Sequence, residues 1–477
     1  MVQDLPADPQ TLLMAFTTLS LVCLLLWIFA RHCGIAIALL LGAQFWSVTL
    51  GTQPTALDFG LSFIGIHIYP IDILTVCALC VAIMRVPWWG RTAPAGLQAL
   101  LAMVVLTVWS TLQGTATFGL QAAGNDARIS FWHFLAVTVY LATAPLSASL
   151  NRVVTRAWLA AAVAYTLLSV EGWANRGLLA ANDYKWVDGV MVNGRPVPCG
   201  AALVLAQAAM LLLSPRPPAP STVDPPTGGS SDLGGATSAW RVSGRRLLAV
   251  VFLVAVILLQ HRTVWVATLM MALAWWVLRP ARDGRRFVSA GAGTLALSLT
   301  ALLYCVGTFG IIGDRLTASF EETQRTQSTF TWRVLSWQDL LDVPRSYVQW
   351  LIGTPFGSGY ERFISGTLVT VSPHDYYVHI MLRLGLVGLL ALLFVYFQAW
   401  RRLARVGPAA LGIRIVLLGQ LVFFVSYWPS PEQAVLLGFC LWQTRVCAAD
   451  ETPCVSLATS RKSDIDYRSG TLTGVQG

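Results

Sequence analysis

The chain of 477 residues is strongly apolar, with 56% hydrophobic residues, 12% charged residues and a mean hydropathy of +0.63. Soluble domains carry about twice that charged fraction, so the composition excludes an ordinary soluble protein. The net charge of +9 does not indicate nucleic-acid binding, because nearly all basic residues are arginines in short clusters between apolar segments. Membrane orientation signals have this form.

Apolar segments of about 20 residues recur along the chain and predict an all-α polytopic membrane protein with about 11–13 transmembrane helices. The segments are continuous, whereas a transmembrane β-barrel requires alternating ones. In chain order they are 11–30, 33–50, 71–84, 96–114, 131–149, 157–171, 198–214, 246–260, 263–278, 287–309, 374–397, 411–428 and 433–447.

These segments predict one transmembrane domain over 1–447. Within it, the Pro- and Gly-rich stretch 215–245 is predicted to be a linker, and 310–373 a large loop. The polar residues 448–477 are predicted to form a disordered tail. The loop is charged, rich in aromatic residues and contains the glycine-rich stretch Gly353–Gly359. A loop of this kind indicates chemistry at one face of the membrane.

Arginine clusters predict the orientation of the segments. If the segments alternate, six clusters fall on one side, which the positive-inside rule identifies as the cytoplasm. The clusters are Arg31; Arg85 and Arg91; Arg152 and Arg156; Arg241, Arg245 and Arg246; Arg279, Arg282, Arg285 and Arg286; Arg401, Arg402 and Arg405. The linker and the tail are then cytoplasmic, and the large loop lies on the outer side.

Candidate functional residues gather on that outer side. Arg195 precedes the segment at 198, Arg262 lies between two apolar segments, and Arg333 lies in the large loop. His374 begins the next segment. Arg383 is about 13 Å deeper than His374 by helical rise. An arginine at that depth is costly unless it is paired or faces a wet cavity, so it is a candidate for function.

The residue types suit a phosphorylated substrate. Guanidinium groups bind phosphate oxygens bidentately and would stabilise the charge that develops as a pyrophosphate leaves. His374 titrates near neutrality and could act as a general base on a hydroxyl group. Tyr376, Trp332 and Trp337 could stack on the apolar faces of sugar rings. The outer loops contain no Asp-x-Asp pair, and no metal or other cofactor is expected.

Three of these residues also have a structural interpretation. Arg262 could extend along a helix end towards water. Arg333 could be an ordinary loop arginine. His374 could simply precede a helix after Ser372-Pro373.

A histidine motif ends the large loop. His374 and Asp375 are followed by nine residues, Gly385, two further residues and Gly388. This spacing resembles the motif of the O-antigen ligase and O-antigen polymerase superfamily, which usually has Asn, Ser or Gln at the position of Asp375. Further features, in the order found in the family, are His261–Trp265, Thr331–Arg333 and Gly353–Gly359. The resemblance covers about 246–400.

The resemblance implies a GT-C-like glycosyltransferase in the bacterial inner membrane, with its active site facing the periplasm. Its donor would be a glycan on undecaprenyl pyrophosphate, transferred without a metal and with inversion at the anomeric carbon. Arg262 and Arg333 would hold the donor pyrophosphate, and His374 would engage the acceptor hydroxyl. Additional substrate-binding residues are expected among Arg195, Arg383, Asp375, Tyr376, Trp332 and Trp337.

Three function classes remain open at this stage. A polymerase of exopolysaccharide, capsule or O-antigen repeat units is favoured by likeness around Thr331–Trp337, with a chain-length regulator and a flippase as partners. The alternative enzyme is a ligase that transfers the glycan to lipid A–core. A transporter or flippase would also place arginines in a cavity, but would spread charges through the membrane and use matching broken helices. A non-catalytic assembly subunit would tolerate loss of His374.

Overall fold

The computed structural model describes residues 9–51, 61–63, 66–85, 93–177, 184–187, 190–214, 234–278, 329–364 and 367–450. Within these ranges the chain is mostly helical. The helices are α1 (Pro9–Arg31), α2 (Cys33–Gly51), α3 (Pro70–Arg85), α4 (Leu97–Phe118), α5 (Leu120–Ala127), α6 (Phe134–Ala142), α7 (Ala148–Arg176), α8 (Cys199–Leu213), α9 (Gly234–Leu258), α10 (Arg262–Leu278), α11 (Thr329–Asp342), α12 (Tyr347–Ile352), α13 (Tyr376–Arg405), α14 (Leu411–Phe424) and α15 (Pro431–Asp450).

Short antiparallel hairpins complete the described elements. They are formed by β1 (Leu61–Phe63) with β2 (Ile66–Ile68), β3 (Tyr184–Val187) with β4 (Val190–Asn193), and β5 (Arg362–Ile364) with β6 (Thr367–Val369). A π-helical turn, Arg128–His133, joins α5 to α6.

Most predicted apolar segments coincide with a helix. Segment 131–149 instead covers α6 and a non-helical stretch at 143–147, and 287–309 lies outside the described residues. Among the described residues, three helices are long and apolar enough to cross a membrane: α4, the part of α7 from Ser149, and α13. The pair α1 and α2 passes the same test together and is bent by 120°. The protein is therefore a membrane protein, while the count of 11–13 spans stays a prediction.

The shorter apolar helices explain why the number of predicted segments exceeds the number of helices long enough to cross a membrane. Four of them have 10–17 residues: Ser130–Ala142, α8, α10 and α14. At a rise of about 1.5 Å per residue, such a helix reaches at most about 26 Å, less than the hydrocarbon core of about 30 Å. Composition alone identifies these segments but does not give the length of their helices.

Two predicted boundaries require correction. The linker predicted for 215–245 is shorter, because α9 begins at Gly234, while 215–233 lies outside the described residues. The loop predicted for 310–373 contains α11, α12 and the β5–β6 hairpin after residue 328. A capping box at Ser346 begins α12, and local strand pairing forms the hairpin. Neither requires an apolar segment that a membrane-segment search would detect. Residues 310–328 and 451–477 lie outside the description.

The helices bury a continuous core of aliphatic and aromatic side chains. Small residues let helix backbones approach, as membrane bundles require: a Cβ on Gly438 would lie 2.8 Å from the Thr138 carbonyl oxygen. Three buried glutamine side chains pair with one another within the core. Gln433 bonds Gln207 and Gln420, and Gln420 accepts a hydrogen bond from Tyr396 at 2.8 Å.

Helix connections gather at two ends of the bundle. Contacts of α6 and of the π-helical turn before it identify these ends. At the start of this element, His133 lies 2.6 Å from Asp72, and the Ser130 carbonyl accepts a hydrogen bond from the Tyr376 hydroxyl at 2.9 Å. We call this the outer end. At the far end, Arg85 donates to the Tyr140 carbonyl at 3.2 Å. The predicted alternation of the segments and the compartment that each end faces stay predictions.

Candidate functional site

The helix that contains the motif glycines, α13, is broken at Gly385. Gly385 has φ 66° and ψ −167°, a conformation open essentially to glycine alone. A Cβ at this position would lie 2.3 Å from the carbonyl carbon of Leu351, so the end of α12 touches α13 backbone to backbone. The motif glycine is therefore required by the break and by this close approach.

The glycine-rich stretch 353–359 docks on α13 just before the break. The Leu382 carbonyl accepts hydrogen bonds from the Thr354 amide at 2.7 Å and from its hydroxyl at 2.9 Å. Gly353 has φ 84°, and a Cβ there would lie 2.3 Å from the carbonyl carbon of Arg383. The glycines thus allow a loop to lie directly on a helix backbone.

Arg383 lies fully buried at this junction, with an exposed fraction of 1%. Its Nε lies 2.8 Å from Asp126 Oδ2 and donates to the Tyr360 hydroxyl at 2.9 Å. Its terminal nitrogens donate to the glycine-rich stretch, at Thr354 Oγ1, Pro355 O, Ser358 Oγ and Gly359 O. The guanidinium group is therefore surrounded by protein acceptors.

Asp126, in α5, supplies the opposite charge. Its carboxylate accepts hydrogen bonds from the Gly357 amide at 2.9 Å and from the Tyr360 hydroxyl. His379 Nε2 lies 2.6 Å from the Tyr360 oxygen and 3.5 Å from Asp126 Oδ1. Burial alone would raise the pKa of Asp126, but the hydrogen bond from His379 and the charge of Arg383 hold that pKa at about 2. We call Asp126, Tyr360, His379 and Arg383 the buried ion-pair cluster.

This environment changes the interpretation of Arg383. The sequence predicted a substrate-binding residue at depth. In the structure, Asp126 neutralises its charge and protein groups occupy its donors. Arg383 therefore holds the glycine-rich stretch, α5 and α13 together, and this correction follows from the cost of an unpaired charge at that depth.

His374 and Arg333 meet at an aromatic pair between α14 and α15. The His374 ring centroid lies 5.7 Å from that of Trp428, and the Arg333 guanidinium carbon lies 5.2 Å from the Tyr427 ring centroid. Both His374 and Arg333 are half-buried. Burial, followed by the positive charges of Arg333 and Arg362, lowers the pKa of His374. Its imidazole is thus neutral at pH 7 and able to accept a proton.

Arg195 lies near Arg333, because both arginines act electrostatically on the Cys199 thiol. The positive charge of Arg195 adds to burial in lowering the pKa of His261 to about 3, and His261 Nε2 donates to the Val197 carbonyl at 2.9 Å. Arg262 follows His261 directly, begins α10 and is half-buried. The structure therefore brings Arg195, Arg333 and His374 close together, and Arg262 is placed near Arg195 through its neighbour His261. We call Arg195, Arg262, Arg333 and His374 the cationic site.

Comparison with known families bears on this group. Residues 247–393 match the family model described as O-antigen ligase. This segment is therefore similar to the O-antigen ligase family. The match confirms the relationship inferred from the histidine motif, and it includes Arg262, Arg333, His374 and Gly385. No curated protein matches the chain.

The segment that matches the family model, residues 247–393, contains only part of the site. Arg195 and Asp126 precede residue 247, and Tyr427 and Trp428 follow residue 393. Members of this family are glycosyltransferase-like enzymes, ligases or polymerases. The flanking helices thus complete a site whose central motifs come from this segment.

Two motif neighbours of His374 have structural partners. Asp375 caps α13, because its carboxylate accepts a hydrogen bond from the Val378 amide at 2.9 Å, and burial raises its pKa to about 6. Tyr376 has an exposed fraction of 0%, and its hydroxyl donates to the Ser130 carbonyl. The stacking of Tyr376 on a sugar ring is therefore corrected, since its ring lies in the core. Asp375 acts as a helix cap here.

The two tryptophans predicted to bind sugars lie on α11, the helix of Arg333. Trp332 and Trp337 are each half-buried. Their position near the cationic site is compatible with the predicted stacking, which stays a prediction. The segment that matches the family model therefore has two partly exposed tryptophans on α11, the helix that also contains Arg333.

Sequence reasoning missed Asp126, Tyr360, Tyr427 and Trp428. A signal existed for Asp126, because it lies in the predicted outer-side connection between segments 96–114 and 131–149, where Arg383 needed a counter-charge. Tyr427 and Trp428 were placed at the end of segment 411–428, where aromatic residues usually mark the membrane interface. Their contacts with Arg333 and His374 could be seen only in the folded chain.

A cavity of about 1100 Å³ lies behind the same aromatic pair. Its walls are mainly apolar residues of α1, α2 and α3, and Tyr427 and Trp428 form part of its lining. Arg128, His133 and Glu432 add polar groups. The cavity and the cationic site therefore share a wall. Within the described residues, no group of three or more His, Cys, Asp or Glu side chains is arranged to hold a metal ion.

Proposed function

We propose that this protein transfers a glycan from undecaprenyl pyrophosphate to an acceptor hydroxyl on the periplasmic face of the bacterial inner membrane. The observation that supports this most is the meeting of Arg333 with a neutral His374 at Tyr427 and Trp428, next to Arg195. A cluster of arginines fits a pyrophosphate leaving group, and a neutral imidazole fits proton removal from the acceptor.

The proposed reaction is one direct displacement without a metal. Arg262 and Arg333 hold the pyrophosphate of the donor, and Arg195 adds positive charge. His374 takes the proton of the acceptor hydroxyl as its oxygen bonds to the anomeric carbon. The bond from that carbon to the pyrophosphate oxygen breaks, and undecaprenyl pyrophosphate leaves with the electron pair. Attack opposite the leaving group inverts the anomeric carbon.

The apolar cavity supports a lipid-linked donor. It adjoins the cationic site through Tyr427 and Trp428 and is lined largely by apolar side chains. A long isoprenoid chain gains free energy by leaving water for such a surface. In the proposed complex the chain occupies this cavity, and its pyrophosphate faces the arginines.

The acceptor decides between two variants of this function. We propose that the protein polymerises repeat units of an exopolysaccharide, capsule or O-antigen, because of the likeness to exopolysaccharide polymerases around Thr331–Trp337. The ligase alternative, with lipid A–core as acceptor, is favoured by the description of the family model matched by residues 247–393. Both variants use the same donor and the same roles for the cationic site.

A deletion strain tests the proposal. It is complemented with wild type, His374→Ala or Arg262→Ala, and its lipopolysaccharide and secreted polysaccharide are analysed. We expect both variants to lose product while inserting normally in the membrane. His32→Ala is the matched control, because His32 is exposed at the α1–α2 bend, and it should restore wild-type product.

The glycan profile separates the candidates. Loss of long polymer, with single repeat units still attached to the acceptor, supports polymerisation. Loss of all attachment, with polymer left on the carrier lipid, supports ligation. Wild-type glycans from the deletion strain or from both variants would contradict a glycosyltransferase and favour the transporter.

A further inference from the structure

Arg362 is a buried arginine in β5, a strand whose residues alternate between buried and exposed. It begins β5 and has an exposed fraction of 5%, whereas its neighbours Glu361 and Phe363 are exposed. Its Nε donates to the Ser336 hydroxyl at 2.6 Å. One terminal nitrogen donates to the Tyr360 carbonyl at 2.7 Å and to the Val371 carbonyl at 2.8 Å. One guanidinium group thus joins three segments of the chain.

Each partner of Arg362 lies next to a part of the site. Ser336 lies on α11, three residues after Arg333 and therefore on the same face one turn along. Val371 lies three residues before His374. Tyr360 belongs to the buried ion-pair cluster, through which it contacts Asp126 and Arg383.

We propose that Arg362 is a positioning residue that fixes Arg333 and His374 relative to each other, an inference that rests on the proposed function. The rigid guanidinium fork sets the spacing of three segments at once, while a lysine ammonium on a flexible chain does not reproduce it. The buried ion-pair cluster fixes one of these three segments, because the Tyr360 hydroxyl is hydrogen-bonded to Asp126 and Arg383. Arg362 itself stays behind the site and contacts no substrate.

Arg362 also adds charge near His374. The charged and titratable groups around His374 are Arg333 from α11, Arg362 from β5 and the adjacent Asp375, which caps α13, while Trp428 packs against its ring. Burial lowers the pKa of His374 first, and the two arginines lower it further. Removal of the Arg362 charge should raise that pKa, so that His374 loses its base form at a higher pH.

The experiment separates the effect of the Arg362 charge from the effect of the hydrogen bonds by which Arg362 joins three segments. The lipid-linked donor that accumulates in the deletion strain is extracted and supplied to full-length protein in lipid nanodiscs, and turnover is measured against donor concentration and pH. Arg362→Lys keeps the charge and loses the bridge. Arg362→Gln loses both. Ser336→Ala removes only the bond to α11. Arg345→Gln is the control, because the hydrogen bonds of Arg345 go to the local carbonyls of Leu340 and Leu341 in α11, and its guanidinium group packs on Trp350 of α12.

We expect kcat to fall about 10- to 100-fold in both Arg362 variants, because misplacement by about 1 Å costs rates of this order, while KM for the donor changes little. Ser336→Ala should lose several-fold in kcat. The acidic limb of the pH profile should move to higher pH in Arg362→Gln and stay in place in Arg362→Lys. Arg345→Gln should match wild type in rate and profile.

The possible failures are distinguishable. If His374→Ala and Arg333→Ala are inactive while both Arg362 variants and Ser336→Ala keep wild-type kcat, the positioning role is wrong and the proposed function stands. If His374→Ala and Arg333→Ala stay active, the proposed function is wrong. Should Arg362→Gln not accumulate in membranes, Ser336→Ala decides: a lower kcat at unchanged donor KM supports positioning, and wild-type kcat overturns it.

Discussion

At the scale of single residues, buried charge distinguishes supporting residues from the candidate site residues. Arg383 and Asp126 form an ion pair whose side chains are 2% and 9% exposed. His374 and Arg333 are half-buried beside the aromatic pair. An arginine whose donors are satisfied by protein holds structure, while half-buried arginines next to a neutral imidazole can meet a ligand.

The Asp126–Arg383 pair gives a stability prediction. Asp126→Ala should lower the free energy of unfolding by about 3–5 kcal/mol, because it leaves a buried guanidinium unpaired. The double variant Asp126→Ala with Arg383→Met should recover part of this loss. Thermal unfolding in detergent measures both, with Glu171→Gln, an exposed carboxylate on α7, as the control. Equal stability of Asp126→Ala and wild type would show that the pair contributes nothing.

At the scale of elements, the sequence predicted helix positions well because membrane segments are long apolar runs. It predicted 310–373 as a loop because α11, α12 and the β5–β6 hairpin have no such run and depend on contacts with α13. The motif spacing identified His374 and Gly385 correctly as features to explain. It could not show that Asp375 caps a helix or that Tyr376 is buried, since polar and aromatic residues before a helix suit either role.

The break at Gly385 gives a second stability prediction. Gly385→Ala should destabilise the protein by at least about 1–3 kcal/mol, the usual cost of such backbone strain, and more because its Cβ would contact Leu351 at 2.3 Å. Gly244→Ala in α9 is the matched control, as its Cβ meets nothing within 4 Å, and it should be neutral or stabilising. Unfolding temperatures in detergent measure both. Identical temperatures for Gly385→Ala and wild type would contradict the strained break.

At the scale of the whole molecule, the two ends of the bundle are chemically different. The outer end contains the cationic site and the buried ion-pair cluster, while the opposite end has arginines such as Arg85 and Arg445 that donate to the carbonyls of helix ends. Helix α13 spans the bundle from Tyr376 to Arg405. Exposed positions near its two ends therefore lie at opposite ends of the bundle.

Labelling tests this orientation. In a variant with the native cysteines replaced by alanine, Glu361→Cys should react with a membrane-impermeant maleimide in intact spheroplasts. Arg401→Cys should react only after the membrane is permeabilised, because positive clusters stay in the cytoplasm. Both positions are exposed in the structure, so each serves as the control for the other. Labelling of Arg401→Cys in intact spheroplasts would reverse the proposed orientation.

The ion pair between α5 and α13 also constrains biosynthesis. Asp126 is translated long before Arg383, so its carboxylate has no guanidinium partner while most of the chain is being made. Insertion of an arginine at the centre of a membrane helix costs about 2.5–3.5 kcal/mol. This cost falls if the earlier helices are already in the membrane next to the translocon. We therefore expect α13 to enter the membrane more readily once α5 is in place, because Asp126 then offers Arg383 its counter-charge.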